Sequence, residues 1–371
     1  MARTIIGVND AKAVKKYSAM LAVDVGRESY WTSKMMGTGE KSKTPVQMLP
    51  HLESDAGEQI TYDLSLQKTG IPVEGDDVMA GKEDELRWAT DNVYIDQMRS
   101  GTNGGGRMTR KRTLHNIRDV TRARESEWWG RCFDELFFMY AAGSRGANTD
   151  YIFPTTYTGF AGNTFTAPDT DHLMYGNDAT AKANVGTNDF VDLLLLDRLK
   201  TRASMMGGGT QKIPQIQPIR INGEEHYVMV MSPYSEYYLR TNTSTGQWLD
   251  IQKASAGAEG RKNPIFRGAM GMYNDIVLHS HKAVVRFDDY GGAAVPAERA
   301  LFMGKQALVC AFGSSGDGLR FDWHEEMADR GNQLVINTHS IFGVKKCTYG
   351  IDGTDRDFGI ISADVYSADP T

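Results

Sequence analysis

Two glycine-containing segments come closest to the patterns with which enzymes bind phosphate or activate a serine. Gly304-Lys305 lacks the upstream glycine and the following hydroxyl that a phosphate-binding loop requires. Gly313-Ser314-Ser315-Gly316-Asp317 misses the spacing of a nucleophile elbow by one residue, and no HExxH pair occurs in the chain. The sequence therefore favours neither a nucleotide-hydrolysing motor nor a hydrolase, and we expect no enzymatic activity.

Two histidines and three cysteines are the next candidate ligands. His279 and His281 would point to the same side of a strand, yet no third ligand follows at a recognisable spacing, so we expect a structural or surface role. Cys132, Cys310 and Cys347 form no CxxC pair and are odd in number. This pattern predicts neither a disulfide framework nor a zinc site, and it fits a reducing compartment.

Two clusters of acidic residues are also candidate metal sites. The first comprises His324, Glu325, Glu326 and Asp329. On a helix Glu325 and Asp329 would share a face that excludes His324, so we predict a solvated helix face. The second comprises Asp352, Asp355 and Asp357, whose alternation and glycine position are wrong for a calcium loop, so we predict a turn. No metal and no cofactor is expected.

Charge is segregated between two neighbouring segments. From Glu74 to Asp96 there are eight acidic and two basic residues, and from Arg99 to Arg124 eight basic and one acidic. The segments could be two solvated faces, or a basic helix at 107–124 could bind nucleic acid. Attraction between copies of the chain is the third interpretation. Its candidate contacts are Glu74, Asp76, Asp77, Glu83, Asp84 and Glu85 on one side, and Arg110, Lys111, Arg112, Arg118, Arg122 and Arg124 on the other.

The elements that would carry these charges begin with an arm, residues 1–56, which has a short amphipathic stretch and little core of its own. A period-two run of Ile60, Tyr62, Leu64 and Leu66 predicts a strand, and a second extended run from Leu86 to Met98 can return beside it. The two runs form a long hairpin with an acidic excursion, which needs a surface to lie on. Gly104, Gly105 and Gly106 then predict a flexible hinge.

Apolar residues recur at helical spacing from Leu114 to Met139 and predict a long helix that stops at Gly143. Its Trp128-Trp129 pair is expected in a core or an interface. Residues 147–186 predict loops, and Asn188 or Asp189 is expected to cap a second, deeply buried helix. Asn222-Gly223 predicts a hairpin turn between strands. Strands and helices that are neither segregated nor strictly alternating favour an α+β fold.

The bulk properties exclude several classes of protein. The formal net charge of -6 and pI of about 5.8 give no overall bias towards phosphate backbones. No cationic stretch followed by an apolar run begins the chain, and no run of about 18 apolar residues occurs, so we expect neither secretion nor contact with a membrane. With 40% hydrophobic residues spread over its length, the chain is predicted to be globular.

Seven segments, in one order, resemble a known family. They are SYWTSKMMG from Ser29, EGDDVMAGKEDEL from Glu74, GGRMTRKRTLHNIR from Gly105, YAAGSRG from Tyr140, NPIFRGAMGMYNDIVLH from Asn263, RALFMGKQALVCAFG from Arg299 and RDFGIISADVY from Arg356. They are similar to segments of the podovirus-type major capsid proteins of tailed double-stranded-DNA bacteriophages. The similarity covers almost the whole chain and is weakest in the loops at 155–185.

The resemblance implies the Hong Kong-type tailed-phage capsid fold, with a spine helix at 108–142. Its parts would be an N-terminal arm (1–56), an extended loop (57–104), a peripheral domain with the spine helix (105–214), an axial domain (215–324) and a return to the peripheral domain (325–371). Proteins of this fold form hexamers and pentamers, so a glycine hinge would let one sequence adopt several angles. Some members of the wider fold crosslink a lysine to an asparagine of a neighbouring subunit, but no local motif predicts that reaction for this chain.

The resemblance also implies where the protein acts and with what. It would form the icosahedral head that encloses the double-stranded DNA genome, would be assembled in the cytoplasm of the bacterial host and would reside in the virion. Its partners would be copies of itself, a portal, packaged DNA bound non-specifically and, in some phages, a decoration protein. Because the predicted hairpin starts near residue 57, we expect a separate scaffolding protein and not a scaffolding segment within the chain.

Overall fold

A computed structural model describes residues 11–39, 42–50, 57–65, 68, 70–86, 88–113, 115–207, 213–221, 223–242, 264–266, 269–314, 320–351 and 353–370. Within these residues the helices are α1 (Ala11–Glu28), α2 (Tyr30–Lys34), α3 (Arg107–Arg112), α4 (Ile117–Ala142), α5 (Leu193–Met205) and α6 (Pro233–Asn242), with 3-10 turns at Lys182–Asn184 and Pro264–Phe266.

The strands of the same residues are β1 (Met36–Thr38), β2 (Val46–Leu49), β3 (Gln59–Ser65), β4 (Trp88–Tyr94), β5 (Asp96–Asn103), β6 (Gly159–Phe160), β7 (Asn163–Thr164), β8 (Leu173–Tyr175), β9 (Ile219–Ile221), β10 (Glu224–Met231), β11 (Gly271–Tyr273), β12 (Ile276–Ser280), β13 (Arg286–Tyr290), β14 (Val295–Met303), β15 (Leu308–Phe312), β16 (Phe321–Ala328), β17 (Gln333–Lys346), β18 (Thr348–Ile351), β19 (Thr354–Asp357) and β20 (Ile360–Tyr366).

The long helix α4 is the element around which the rest packs. Asn116 caps its N-terminus by accepting a hydrogen bond from the Arg118 amide, and Gly143 ends it in the left-handed region at φ 66°. A Cβ atom at Gly143 would lie 2.0 Å from the carbonyl oxygen of Thr166, so only glycine fits there. Almost every residue from Cys132 to Ala142 is buried, because apolar side chains occupy all sides of this half of the helix.

The predicted spine helix at 108–142 is wrong in one respect, since it is not continuous. Thr113 has an extended backbone with ψ 140° and separates α3 from α4. The Asn116 side chain favours a new helix start at this point, because it accepts a hydrogen bond from the Arg118 amide. The end at Gly143 is as predicted.

Two sheets lie against α4. A six-stranded sheet has the order β1-β2-β15-β17-β16, with β5 also paired to β17, and its buried face contacts α4. An eight-stranded sheet has the order β11-β12-β10-β14-β20-β8, with β9 on β10 and β13 on β14. One face of this sheet joins the α4 core, and the other packs against α5 and α6. The mixture of helix and sheet is the predicted α+β class.

Strand pairing crosses the predicted domain boundaries. β15, inside the segment 215–324, and β16, which straddles its end, belong to the six-stranded sheet, whereas β20, inside 325–371, pairs with β14 in the eight-stranded sheet. The paired strands are far apart in the sequence, so local sequence patterns cannot predict that they pair. The division into arm, loop, peripheral domain and axial domain stays a prediction.

The arm was predicted to have little core of its own, and its apolar residues join the main core instead. Leu21, Val25, Trp31, Met35 and Met48 are buried in the largest core cluster together with α4. The arm helix α1 also lies along β16, which is the outermost strand of its sheet. There Tyr17 stacks on Trp323 at 5.3 Å, and the Ser18 hydroxyl accepts a hydrogen bond from the Trp323 amide.

The remaining local predictions are mostly confirmed. β3 and β4 form the predicted hairpin, and β9 and β10 pair around Gly223, which has φ 92°. Residues 147–186 contain only short strands and one 3-10 turn. The cap of α5 was misplaced: Asp192 caps this helix through the Leu195 amide, while Asp189 bonds the Gly186 amide.

Candidate assembly surfaces

The β3–β4 hairpin is anchored at its base. Ile60, Ala89 and Val93 pack in a separate cluster that includes Val309 of β15 and Tyr349 of β18. Polar bonds add to this contact, because Asp91 accepts from the Tyr62 hydroxyl at 2.7 Å and from Lys345 Nζ at 2.5 Å. The surface that the hairpin was predicted to need is therefore supplied by its own chain at the base.

Beyond the base, the loop from 70 to 86 is exposed along nearly its whole length. Ile71, Val78 and Leu86 of this loop expose 86%, 71% and 65% of their surface. Asp84 bonds the Gly70 amide at 2.7 Å and holds the two sides of the loop together. All six predicted acidic contacts lie in this loop, which makes it an acidic and partly apolar surface.

α3 carries three of the predicted cations, Arg110, Lys111 and Arg112. It buries none of its residues in this chain. Its attachments run to the turn between β16 and β17, where Arg107 Nε donates to the Gly331 carbonyl and an Arg110 amino group donates to the Asn332 carbonyl. α3 is thus held in place without being covered.

The other predicted cations already have carboxylate partners within the chain, and their contact with another copy stays a prediction. Arg118 binds both carboxylate oxygens of Glu325 at 2.8–2.9 Å, and Arg122 lies 3.3 Å from Asp24 of α1. Arg124 pairs with Glu127 on the surface of α4. The charge segregation of the sequence is therefore partly neutralised by folding.

Glu325 also corrects the prediction of a solvated helix face. It lies on the strand β16 and is buried, because alternate residues of this strand face α4 and the arm. Trp323 Nε1 donates to the same carboxylate at 3.0 Å. A bidentate arginine and an indole together satisfy the buried charge, which fixes the start of α4 on the sheet.

The glycine hinge candidates connect β5 to α3. Gly104 donates to the Leu334 carbonyl at 2.7 Å, and Gly105 adopts φ 71°, a conformation that favours glycine. A Cβ at Gly104 would lie 3.1 Å from the Leu334 oxygen and 3.2 Å from Ile117. These contacts explain the need for glycine at these positions, while hinge motion itself stays a prediction.

Asp134 joins the arm to α4 and was not singled out from the sequence. It is buried and accepts bonds from the Ser29 hydroxyl at 2.8 Å and from the amides of Tyr30 and Trp31. Burial raises the pKa of this carboxyl to about 6, and the three hydrogen bonds oppose the shift. His281 lies 3.8 Å away.

Two buried ion pairs were also missed. Arg299 donates to both oxygens of Asp364, to the Tyr290 hydroxyl and to the Ala142 carbonyl at the end of α4. Lys346 contacts both oxygens of Asp357 at 2.8 Å. The predicted turn at Asp357 is instead the end of β19, with a buried carboxylate whose pKa is raised by its burial.

His279 and His281 lie at the arm anchor. His279 is buried, its Nε2 is 2.7 Å from the Ile265 carbonyl, and burial lowers its pKa to about 4. His281 stacks on Phe138. No cluster of three or more potential metal ligands occurs in the described parts of the chain, and none of their helices is long and apolar enough to cross a membrane.

We expect His279→Ala to lower the free energy of unfolding by about 2 kcal/mol or more, because it leaves a cavity and an unpaired carbonyl. The folded pKa lies below the ordinary 6.5, so the stability that neutral His279 contributes is complete above pH 6.5 and lost as pH falls towards about 4. The difference from wild type in urea denaturation should shrink over that range.

The exposed His324 provides the matched control for this substitution. His324→Ala should stay within about 0.5 kcal/mol of wild type. Equal effects of the two substitutions would contradict the structural role of His279.

Comparison with known proteins agrees with this geometry. The capsid of Ralstonia phage GP4 has a chain of similar fold, with a TM-score of 0.86, 46% identity and complete coverage of both chains. The capsid of cyanophage Pam1 shares the fold at a TM-score of 0.69 and 18% identity, over 92% of this chain and 93% of its own. The mixed helix-and-sheet fold of this chain therefore closely matches those of tailed-phage capsid proteins.

A family model described as phage capsid protein matches residues 5–369. The major capsid protein of Pseudomonas phage KPP25 is 26% identical over 364 residues, which cover 91% of this chain and 90% of that protein. The chain belongs to the phage capsid protein family, and the resemblance and the fold inferred from the sequence are confirmed. These comparisons give no support to a nucleic-acid-binding module.

Proposed function

We propose that this chain is the major capsid protein of a tailed phage and that it assembles into the hexamers and pentamers of an icosahedral head around double-stranded DNA. The similarity to the capsid of Ralstonia phage GP4 over the whole of both chains is the observation that carries the proposal. The protein would act by assembly and not by catalysis, as its family and the incomplete catalytic patterns of its sequence suggest.

The proposal includes the cellular setting and the partners. The subunit would be assembled in the cytoplasm of the bacterial host and would end in the virion. Its partners would be copies of itself, a separate scaffolding protein, a portal and, where the phage has one, a decoration protein. A net charge of -6 suits loose, non-specific contact with packaged DNA.

Within the assembly, the extended loop would contact a neighbouring copy, while the glycine joint at 104–106 would allow different angles in hexamers and pentamers. Exposed acidic and apolar side chains on the loop support this contact. Single exposed ion pairs contribute only about 0–1 kcal/mol, so specificity would come from several pairs repeated around each ring. Like charges placed opposite each other would disfavour wrong partners.

Reversing four loop charges tests the function and the contact together. The variant Asp76→Lys, Asp77→Lys, Glu83→Lys and Asp84→Lys should fold but yield about a tenth of the wild-type particles or fewer, because like charges would meet across the contact. Sedimentation and negative-stain microscopy measure particle yield, and circular dichroism checks folding. Because a separate scaffolding protein is proposed, the wild-type chain alone is expected to give irregular or few closed shells; no large particles of any kind, irregular ones included, would contradict the proposed function.

A control with half as many reversals changes acidic residues that are exposed elsewhere. The control variant carries Asp288→Lys on β13 and Asp119→Lys at the start of α4. They should leave most of the particle yield intact. A fall equal to that of the loop variant would mean that net charge, and not the loop, governs assembly.

A further inference from the structure

The turn between β14 and β15 connects the two sheets, and its backbone is held from two sides. Lys305 donates its amide to the Gln217 carbonyl at 2.8 Å, and Ala307 donates to the Pro45 carbonyl at 2.8 Å. A Cβ atom at Gly304 would lie 2.4 Å from the Gln217 oxygen, so the chain can approach this closely only with glycine. The backbone that carries Lys305 is therefore fixed in place.

The arm also stabilises this turn. Gln306 has φ 58°, in the left-handed region that residues with side chains rarely adopt. Its amide donates to the Thr44 carbonyl at 3.2 Å, and its side chain donates to Gln47 Oε1 at 3.2 Å. These contacts maintain an unfavourable backbone conformation of the kind that clusters where proteins hold ligands.

A depression of about 440 Å³ lies beside the turn and collects positive charge. Lys43 of the arm, Arg220 of β9 and Lys305 of the turn line it. Glu225 is the one carboxylate among the described residues that line it, and it accepts bonds from Arg220 Nε at 3.0 Å and from an Arg220 amino group at 2.7 Å. No carboxylate of the described chain lies within ion-pair distance of Lys43 or Lys305. Two cations therefore have no counter-charge in the folded chain.

The other lining residues narrow the chemistry of the ligand. Gln215 and Gln217 add amide groups, and among the described lining residues only Pro218 is apolar. The ammonium, amide and remaining guanidinium N–H groups are all donors that suit an anion with several acceptor oxygens. A phosphate group, with three or more oxygens and about two negative charges, matches this set better than a carboxylate does.

We propose that this depression, the turn pocket, binds phosphate groups, with Lys43, Lys305 and Arg220 as the cations that contact the oxyanion. Lys305 belongs to the Gly304-Lys305 pair that lacks the pattern of a phosphate-binding loop. Its side chain supplies the contact, in place of a run of backbone amides, and no hydrolysis is implied. A bound phosphate joins the arm, the turn and β9, so it stabilises the folded chain.

Calorimetric titration with inorganic pyrophosphate tests the turn pocket on the full-length chain. The wild-type chain should bind pyrophosphate, and its thermal midpoint should rise with pyrophosphate concentration. Lys43→Gln with Lys305→Gln should weaken binding by about tenfold or more, because two charge-assisted contacts are lost. Circular dichroism checks folding. Lys43→Gln alone changes an exposed side chain, so it tests the pocket even if the double variant does not fold, and it should weaken binding by about threefold.

Arg99→Gln is the matched control for Lys43→Gln. Arg99 is an exposed cation that lines a different depression, of about 350 Å³, together with His324 and His339. This variant should bind pyrophosphate as the wild-type chain does. Equal weakening by the two single substitutions would mean that overall charge attracts the ligand, and it would overturn the turn pocket.

A short DNA duplex distinguishes the two sources of phosphate, which are free inorganic phosphates and packaged DNA. If DNA uses the turn pocket, the double variant binds the duplex more weakly, and the slope of log K against log salt falls by about two. If free phosphate alone uses it, only pyrophosphate binding falls. Either result supports the inference, whereas absent or unchanged binding of both ligands overturns it. Particle formation by the wild-type chain is a separate measurement, so failure of the turn pocket leaves the capsid function standing.

Discussion

Asp364→Asn should lower the free energy of unfolding by about 3–5 kcal/mol, because it leaves the buried Arg299 guanidinium without a counter-charge. Arg299 bonds both oxygens of Asp364 and also the Ala142 carbonyl, so the pair connects β14, β20 and the end of α4. Urea denaturation followed by circular dichroism measures the loss.

Two further variants make this result interpretable. Asp288→Asn changes an exposed carboxylate on β13 and should stay within about 0.5 kcal/mol of wild type. Replacing both partners, with Arg299→Met and Asp364→Leu, should recover part of the lost stability, because no unpaired charge remains buried. A double variant less stable than Asp364→Asn would show that the bonds to Tyr290 and Ala142 matter more than the ion pair.

Trp31→Ala should cost about 3–5 kcal/mol and release the arm from α4, because a fully buried indole is removed from the main core. Trp31 contacts Phe137 and Phe138 of α4 at ring distances of 5.8 and 5.0 Å. Thermal denaturation by circular dichroism should show the loss, and limited proteolysis should cut the variant first within residues 11–35.

Val23→Ala is the control on the same arm, since 53% of Val23 is exposed. It should change stability by less than about 0.5 kcal/mol and leave the proteolysis pattern unaltered. If Trp31→Ala were equally mild, the attachment of the arm to α4 would not depend on Trp31.

Structural elements that depend only on neighbouring residues could be predicted from the sequence. The alternation of apolar and polar residues around Ile60 and Tyr62 predicts a strand with one buried face, and glycine at 143 predicts the end of a helix. The β9–β10 turn follows from Asn222-Gly223, although Asn222 itself lies outside the described residues. These features depend on neighbours within a few positions of the chain.

Glu325 shows a signal that was present and misread. Phe321, Trp323 and Glu325 are buried, while Asp322, His324 and Glu326 are not, which is the period of a strand. The acidic cluster instead suggested helical spacing. Attention to the alternating aromatic residues would have placed this carboxylate on the inner face and paired it with a cation.

The partners of the buried charged residues could not be predicted from the local sequence. Asp134 binds Ser29 across 105 positions, and Arg299 binds Asp364 across 65. Only the tertiary fold brings such partners together, and without them a buried charge would be too costly to keep. For the same reason the sequence did not indicate the carboxylate partners of Arg118 and Arg122, which lie on β16 and α1.

The position of α1 beside β16 affects whether free subunits aggregate before they assemble. An outermost strand with open backbone groups can pair with strands of other molecules. Because α1 occupies that edge and Ser18 bonds the Trp323 amide, this route to uncontrolled aggregation is closed in the free subunit. Detaching the arm would therefore favour fibrous or amorphous aggregates over shells.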